Sequence, residues 1–156
     1  MTKQIFFASV VVIASFASQT AFARLGETPK QVEERYGAAS PVVRSNPDIP
    51  CDFARQYSFR GYRITVNFKD GVSQSEAYGK QGLFSGGEIN TILDANAGGS
   101  TWRAVQMLPE PFMETMDGKT VGIHSIGRGL LIVTRRPFYN EWMRRINEHN
   151  RNQKTF

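Results

Sequence analysis

The most regular pattern in the chain is Tyr62-Arg63-Ile64-Thr65-Val66-Asn67-Phe68-Lys69, in which every even position is aromatic or β-branched and every odd position is polar. A period of two sends successive side chains to opposite faces, so this segment reads as a half-buried strand with Tyr62, Ile64, Val66 and Phe68 facing a core. Before it, Phe53, Tyr57 and Phe59 alternate with Ala54, Gln56 and Ser58, and Arg60-Gly61 then makes a tight turn. After it, Asp70-Gly71 is a hairpin signal leading into Val72 to Tyr78. Three strands joined by two short turns make a meander.

Helical spacing frames that meander. Thr28 is placed to cap a helix that Pro29 begins and Gly37 ends, with Val32 and Tyr36 four apart on one side. Ser85 and Glu88 stand three apart, as in a capping box, ahead of Ile89, Ile92, Leu93 and Ala97; Gly98-Gly99 closes that helix. Pro137 starts a third helix, in which Phe138, Trp142 and Ile146 recur every four residues beside Tyr139 and Met143. Residues 150–156 are polar and read as a frayed tail. Between the second and third helices, Thr101 to Leu108 reads as a strand. Thr120 to Ile126 and Gly129 to Thr134 form a hairpin around Gly127-Arg128, and Leu130-Leu131-Ile132-Val133 is apolar enough for a central strand. Residues 38–52 and 109–119, each with prolines, read as loops. The expected fold is therefore α+β, with helices on one face of an antiparallel sheet. It carries a coarse echo of helix then strands, helix then strands, and a last helix.

The N-terminus changes the picture. Lys3 precedes the apolar run Ile5 to Ala14, a polar stretch follows, and Ala21-Phe22-Ala23 supplies small residues around a large one. Charge, apolar run and A-x-A site in that order are the secretory pattern, with cleavage expected between Ala23 and Arg24. An uncleaved anchor is the alternative, but the run falls short of the roughly 18 to 20 residues a spanning helix needs. The expected product, residues 24–156, is one exported domain in the periplasm or outside the cell, with no transmembrane segment. Arg24 rather than a cysteine stands first, so no lipid anchor on an N-terminal cysteine is expected. Cys51 is the only cysteine. It is read as either buried or bridged to another chain.

Charge is uneven. Residues 24–127 hold 11 Lys/Arg and 12 Asp/Glu, whereas residues 128–156 hold seven and two. A basic C-terminal end, with Arg135, Arg136, Arg144 and Arg145, points to an anionic partner or to a solvated helix face. The second candidate surface is the polar face of the meander (Gln56, Ser58, Arg63, Thr65, Asn67 and Lys69), where Arg63 and Lys69 would meet an acidic partner. Nucleic acid is not expected, because the aromatics lie on packing stripes rather than among the cations.

Gly26-x-Thr28-x-x-Gln31-Val32, Tyr36-Gly37 with Pro41, Tyr57-x-Phe59, and Ile64 through Gly71 together resemble the small outer-membrane-assembly lipoproteins of the SmpA/OmlA type. Those domains pack helices on a three-stranded antiparallel meander, a layout shared with β-lactamase-inhibitor-like exported modules. The wording around Leu25 to Thr28 and Asn96 to Gly99 also looks like uncharacterised exported bacterial proteins. The resemblance covers residues 25–79 and implies an exported, protein-interacting domain without a catalytic centre. The chain departs from it in carrying Arg24 where those lipoproteins have the N-terminal lipidation cysteine.

The residues themselves offer thin chemistry. His124 and His149 have no metal-ligand spacing. Cys51 is followed by Asp52, an anion that opposes the thiolate. Glu110, Glu114 and Asp117 cluster in one expected loop, as paired acids of a hydrolase would. Gly118-Lys119-Thr120 would need a glycine at 113 to end a phosphate loop, and Met113 stands there. The expectation is a non-enzymatic interaction module with no cofactor and no metal, bound to a protein or an anionic envelope component. A small hydrolase using His124 with these acids is the alternative.

Overall fold

The computed structural model describes residues 24–43, 46–106 and 111–153. The expected leader, with Ala21 and Ala23, lies outside the described residues. The elements are α1 (Pro29–Tyr36), β1 (Ser40–Val43), β2 (Phe53–Phe59), β3 (Tyr62–Lys69), β4 (Val72–Gly79), α2 (Gly86–Asn96), β5 (Trp102–Gln106), β6 (Phe112–Thr115), β7 (Thr120–Ser125), β8 (Leu130–Arg135) and α3 (Arg136–Gln153). The protein is α+β, and its elements follow the order read from the sequence. Two short strands lie where loops were expected: β1, which contains Pro41, and β6, which follows Pro111.

All eight strands form one antiparallel sheet in the order β1-β2-β3-β4-β8-β7-β6-β5. The order is a palindrome. A helix and four strands build one half, a second helix and four strands build the other, and β4 meets β8 at the seam. The echo in the sequence is this repeat. The two helices even start alike. Thr28 and Gln31 cap α1 reciprocally, as Ser85 and Glu88 cap α2, so each satisfies backbone donors that a helix start leaves open.

One face of the sheet carries the main core. Tyr57, Ile64, Val66, Phe68, Tyr78, Leu131 and Val133 are buried there against Val32 and Tyr36 of α1 and Ile92 and Leu93 of α2. Burying such a side chain contributes about 1.5–3 kcal/mol. Gly122 keeps α2 close, because a Cβ there would fall 2.9 Å from Leu93.

α3 adds a second helical layer, on the opposite face. Tyr139 packs on Phe112, with ring centroids 5.5 Å apart. Phe112 pairs in register with Ile123, one step from the Met113–Gly122 pair that faces the core, so it points away from that core. Farther along, Arg145 donates to the Pro47 carbonyl at 3.4 Å and His149 Nδ1 lies 3.7 Å from Asp48. The helix thus crosses the end of the sheet that holds the β3–β4 turn. At that end Ala54, Asn67, Ser75, Val121 and Thr134 are buried, although their strand positions face away from the main core. α3 continues to Gln153, into the stretch read as a frayed tail. Among the described residues, no helix is long and apolar enough to cross a membrane.

Candidate functional site: a basic cleft at the open end of the sheet

Because α3 covers only one end of its face, the other end stays open, and Ser58 and Arg63 are exposed there. Antiparallel pairing brings the β2–β3 turn, the exit of β4 and the β7–β8 turn to this same end. Between them lies a cleft of about 930 Å³ whose lining includes Ser58, Thr65, Arg60, Arg63, Lys80 and Arg128.

Each cation has a local reason for its place. Arg60 sits at φ 49° in the two-residue turn, and its guanidinium lies over the Phe59 ring at 5.0 Å. Arg63 stands in register opposite Gly79, which leaves the space beside it clear. Arg128 is carried on a 3-10 turn that ends at Gly129 in the left-handed region, φ 56°. A Cβ on Gly129 would lie 3.0–3.1 Å from the Gly82 and Lys80 carbonyl oxygens, so glycine is needed to seat this turn against the exit of β4.

Glu88 is the one carboxylate in the lining. It accepts from Lys80 Nζ at 2.7 Å and from the Tyr62 hydroxyl. The bonds from Lys80, Tyr62 and Ser85 hold its carboxyl far below the usual range, while burial, with Glu88 adding, pushes Tyr62 up to about 12. Lys80 is therefore already engaged. No carboxylate among the described residues pairs with Arg60, Arg63 or Arg128.

The described residues carry sixteen Lys/Arg and thirteen Asp/Glu. Four and one of these line the cleft, so the remaining twelve and twelve cancel. Formally, the whole net charge of the described protein sits at this one place.

The residues singled out in the sequence are scattered by the fold. Arg63 lies in the cleft, but Lys69 lies at the far end of β3, and Asn67 between them is buried. Arg135 and Arg136 do not converge: Arg135 extends over Gly26, on the α1 side, whereas Arg136 pairs with Glu114 on the α3 side. Arg144 and Arg145 are tied up on their own helix with Glu141 and Glu148. These bonds, chiefly from Arg144, draw Glu141 down to about 2. Arg24 is exposed at the start of the described chain. Arg136, Arg144 and Arg145 are thus paired in place, and Arg128, which pairs with no carboxylate among the described residues, joins the meander instead.

The acids and histidines do not assemble either. His124 lies on the α2 face, edge-on to Phe84 at 5.7 Å, with Nε2 buried and burial lowering its pKa. Glu114 points to the opposite face, where Arg103 and Arg136 hold it in its anionic form. Asp117 is bonded by Thr115 and the Lys119 amide at the other end of the sheet. Glu110 lies outside the described residues. Cys51 is half-buried and free of a disulfide. Among the described residues, no three His, Cys, Asp or Glu side chains gather as a metal cage.

One ionisable group escaped sequence reasoning altogether. Glu76 is fully buried in the main core. The register of β3 and β4 shifts by one residue between Asn67 and Phe68, so the extra residue, Gln74, puts Glu76 opposite Val66 on the covered face. The Tyr78 hydroxyl donates to one of its oxygens, and the Tyr36 hydroxyl of α1 lies 3.2 Å from that of Tyr78. The other carboxyl oxygen is buried without a partner among the described residues. Burial pushes this carboxyl up to about 7, with Tyr78 and Arg35 opposing and Glu27 adding. The group is sealed from solvent and lines none of the described clefts.

No protein-family model, curated protein or solved structure matches this chain.

Proposed function

We propose that this chain is a non-enzymatic interaction module of the bacterial cell envelope that holds an anionic partner in the cleft at the open end of its sheet. The observation that carries the reading is the charge balance: three arginines without carboxylate partners among the described residues lie together, while the remaining described cations and carboxylates are equal in formal number. Arginine suits this task, because its planar fork grips carboxylates and phosphates with two parallel bonds. The separation of His124 from Glu114 and Asp117 weighs against the hydrolase alternative. Export rests on the secretory pattern of residues 1–23.

The test is a titration of isotope-labelled protein with inorganic polyphosphate, followed by amide chemical shifts at two salt concentrations. Shifts concentrated at residues 58–63, 80 and 128–129, and weaker in high salt, are the expected result. Shifts spread evenly over the surface, or centred on Arg144 and Arg145, would overturn the reading.

A further inference from the structure

Two more features of the open end are unused by that reading. Leu83 is 69 % exposed and Ile126 is 47 % exposed. They belong to the two segments that seat together through Gly129: residues 80–83, which leave β4, and the 3-10 turn Ile126–Arg128. Leu83 lies two residues after Gln81 of the lining and Ile126 two residues before Arg128 of the lining, so both stand next to the cleft along the chain, and a simple anion has no use for them. Exposed apolar residues beside a charged cleft mark a surface that another macromolecule covers.

We infer that the cleft docks an acidic, extended segment of another protein, whose carboxylates meet Arg60, Arg63 and Arg128 while an apolar side chain beside them covers Leu83 and Ile126. This rests on the reading of the cleft as an anion site and names the occupant. Charge complementarity supplies the acidic character. The shape of the site selects a polypeptide over a lipid surface. Arg63 and Thr65 of the strand line the same cleft as Arg60 and Arg128 of the two turns, and a concave site suits a single chain better than a flat bilayer face. A single extended segment reaches both strand and turns. Arginine clusters that read acidic motifs work in this way, with the cations setting orientation and buried apolar contacts adding affinity.

Three probes separate the possibilities: an all-glutamate peptide, a peptide of the same length alternating glutamate and leucine, and phosphatidylserine–phosphatidylcholine vesicles. The full chain is used throughout, so residues 1–23 are common to every variant. The glutamate–leucine peptide is expected to bind roughly tenfold more tightly than the all-glutamate one. Leu83→Ser with Ile126→Ser should erase that difference and leave all-glutamate binding intact. Arg63→Ser with Arg128→Ser should weaken both peptides by about fivefold per arginine. Arg63→Lys with Arg128→Lys keeps the charge but not the planar fork and should bind more tightly than the serine variant and less tightly than the parent, while an unchanged melting midpoint in both separates loss of contact from loss of folding.

Equal affinity for the two peptides in the unaltered protein would overturn the inference while leaving the anion site standing. So would vesicles that bind through Leu83 and Ile126 and displace the peptides. Failure of both peptides and of polyphosphate would overturn the anion site itself.

Discussion

On the face beneath α1 and α2, Glu76 is enclosed by Tyr36, Tyr78 and Val66, and burial drives it toward the neutral acid. On the reverse of the next strand, Arg63 opens to water in a cleft where cations outnumber carboxylates. Both are single ionisable residues on adjacent strands of one meander, and what differs is the covering. Helices cover the first face around Glu76, whereas α3 covers only one end of the second. A buried charge costs folding energy unless it is paired or neutralised, while an exposed one costs little and stays available to a ligand. The comparison teaches where selection for stability stops and where a surface is left free to bind.

Four changes would break or sharpen that contrast, the largest first. Phe68→Ala removes a fully buried ring stacked on Phe53 at 5.0 Å. It should lower stability by about 3–5 kcal/mol, read as a drop in the urea midpoint with an unchanged slope.

Glu76→Gln comes next and acts through pH. Its folded-state pKa is raised from 4.5 to about 7, so the folded protein holds this proton more tightly than the unfolded chain does. The resulting stabilisation is fully present below pH 4.5 and is lost as pH rises through 7, a change of roughly 3 kcal/mol. Urea melts from pH 4 to pH 8 should show this slope in the parent protein and a flatter profile in the variant. Equal slopes would remove Glu76 from the account.

Gly129→Ala forces a side chain into the left-handed region and against two carbonyl oxygens. It should cost about 1–2 kcal/mol and shift amide resonances at residues 80–83. Arg63→Ser with Arg128→Ser should change the melting free energy least, by about 0.5 kcal/mol or less for each residue, while polyphosphate binding falls. A large loss of stability there would mean that the two arginines hold the fold rather than a ligand.

Much of this architecture was legible from side-chain period and turn chemistry. The alternation from Tyr62 to Lys69, the Asp70-Gly71 turn and both helix starts are local signals, and they form where local rules put them. β1 and β6 were hidden by Pro41 and Pro111, which break the pattern a strand would show; β1 tolerates its proline because it is an edge strand. The stripe Phe138, Trp142, Ile146 declares an amphipathic helix, yet no stripe says which side of a sheet it will cover. Glu76 was invisible for a related reason: its inward aim depends on one extra residue at Gln74, and a bulge leaves no mark in periodicity.

The cleft was half legible. Arg63 showed as a polar position of an alternating strand, and Arg60 and Arg128 as turn residues. Their meeting is set by how many hairpins separate them, which is a property of the topology.

The palindromic strand order has a consequence for how the molecule is held as an assembly. Two short chains, each with one helix and four strands, would join edge to edge along the line where β4 now meets β8 and rebuild the same sheet as a twofold dimer. Here a single tether, residues 80–85, does the work of that association. Severing it should leave two fragments that recombine in solution at a rate set by their concentration.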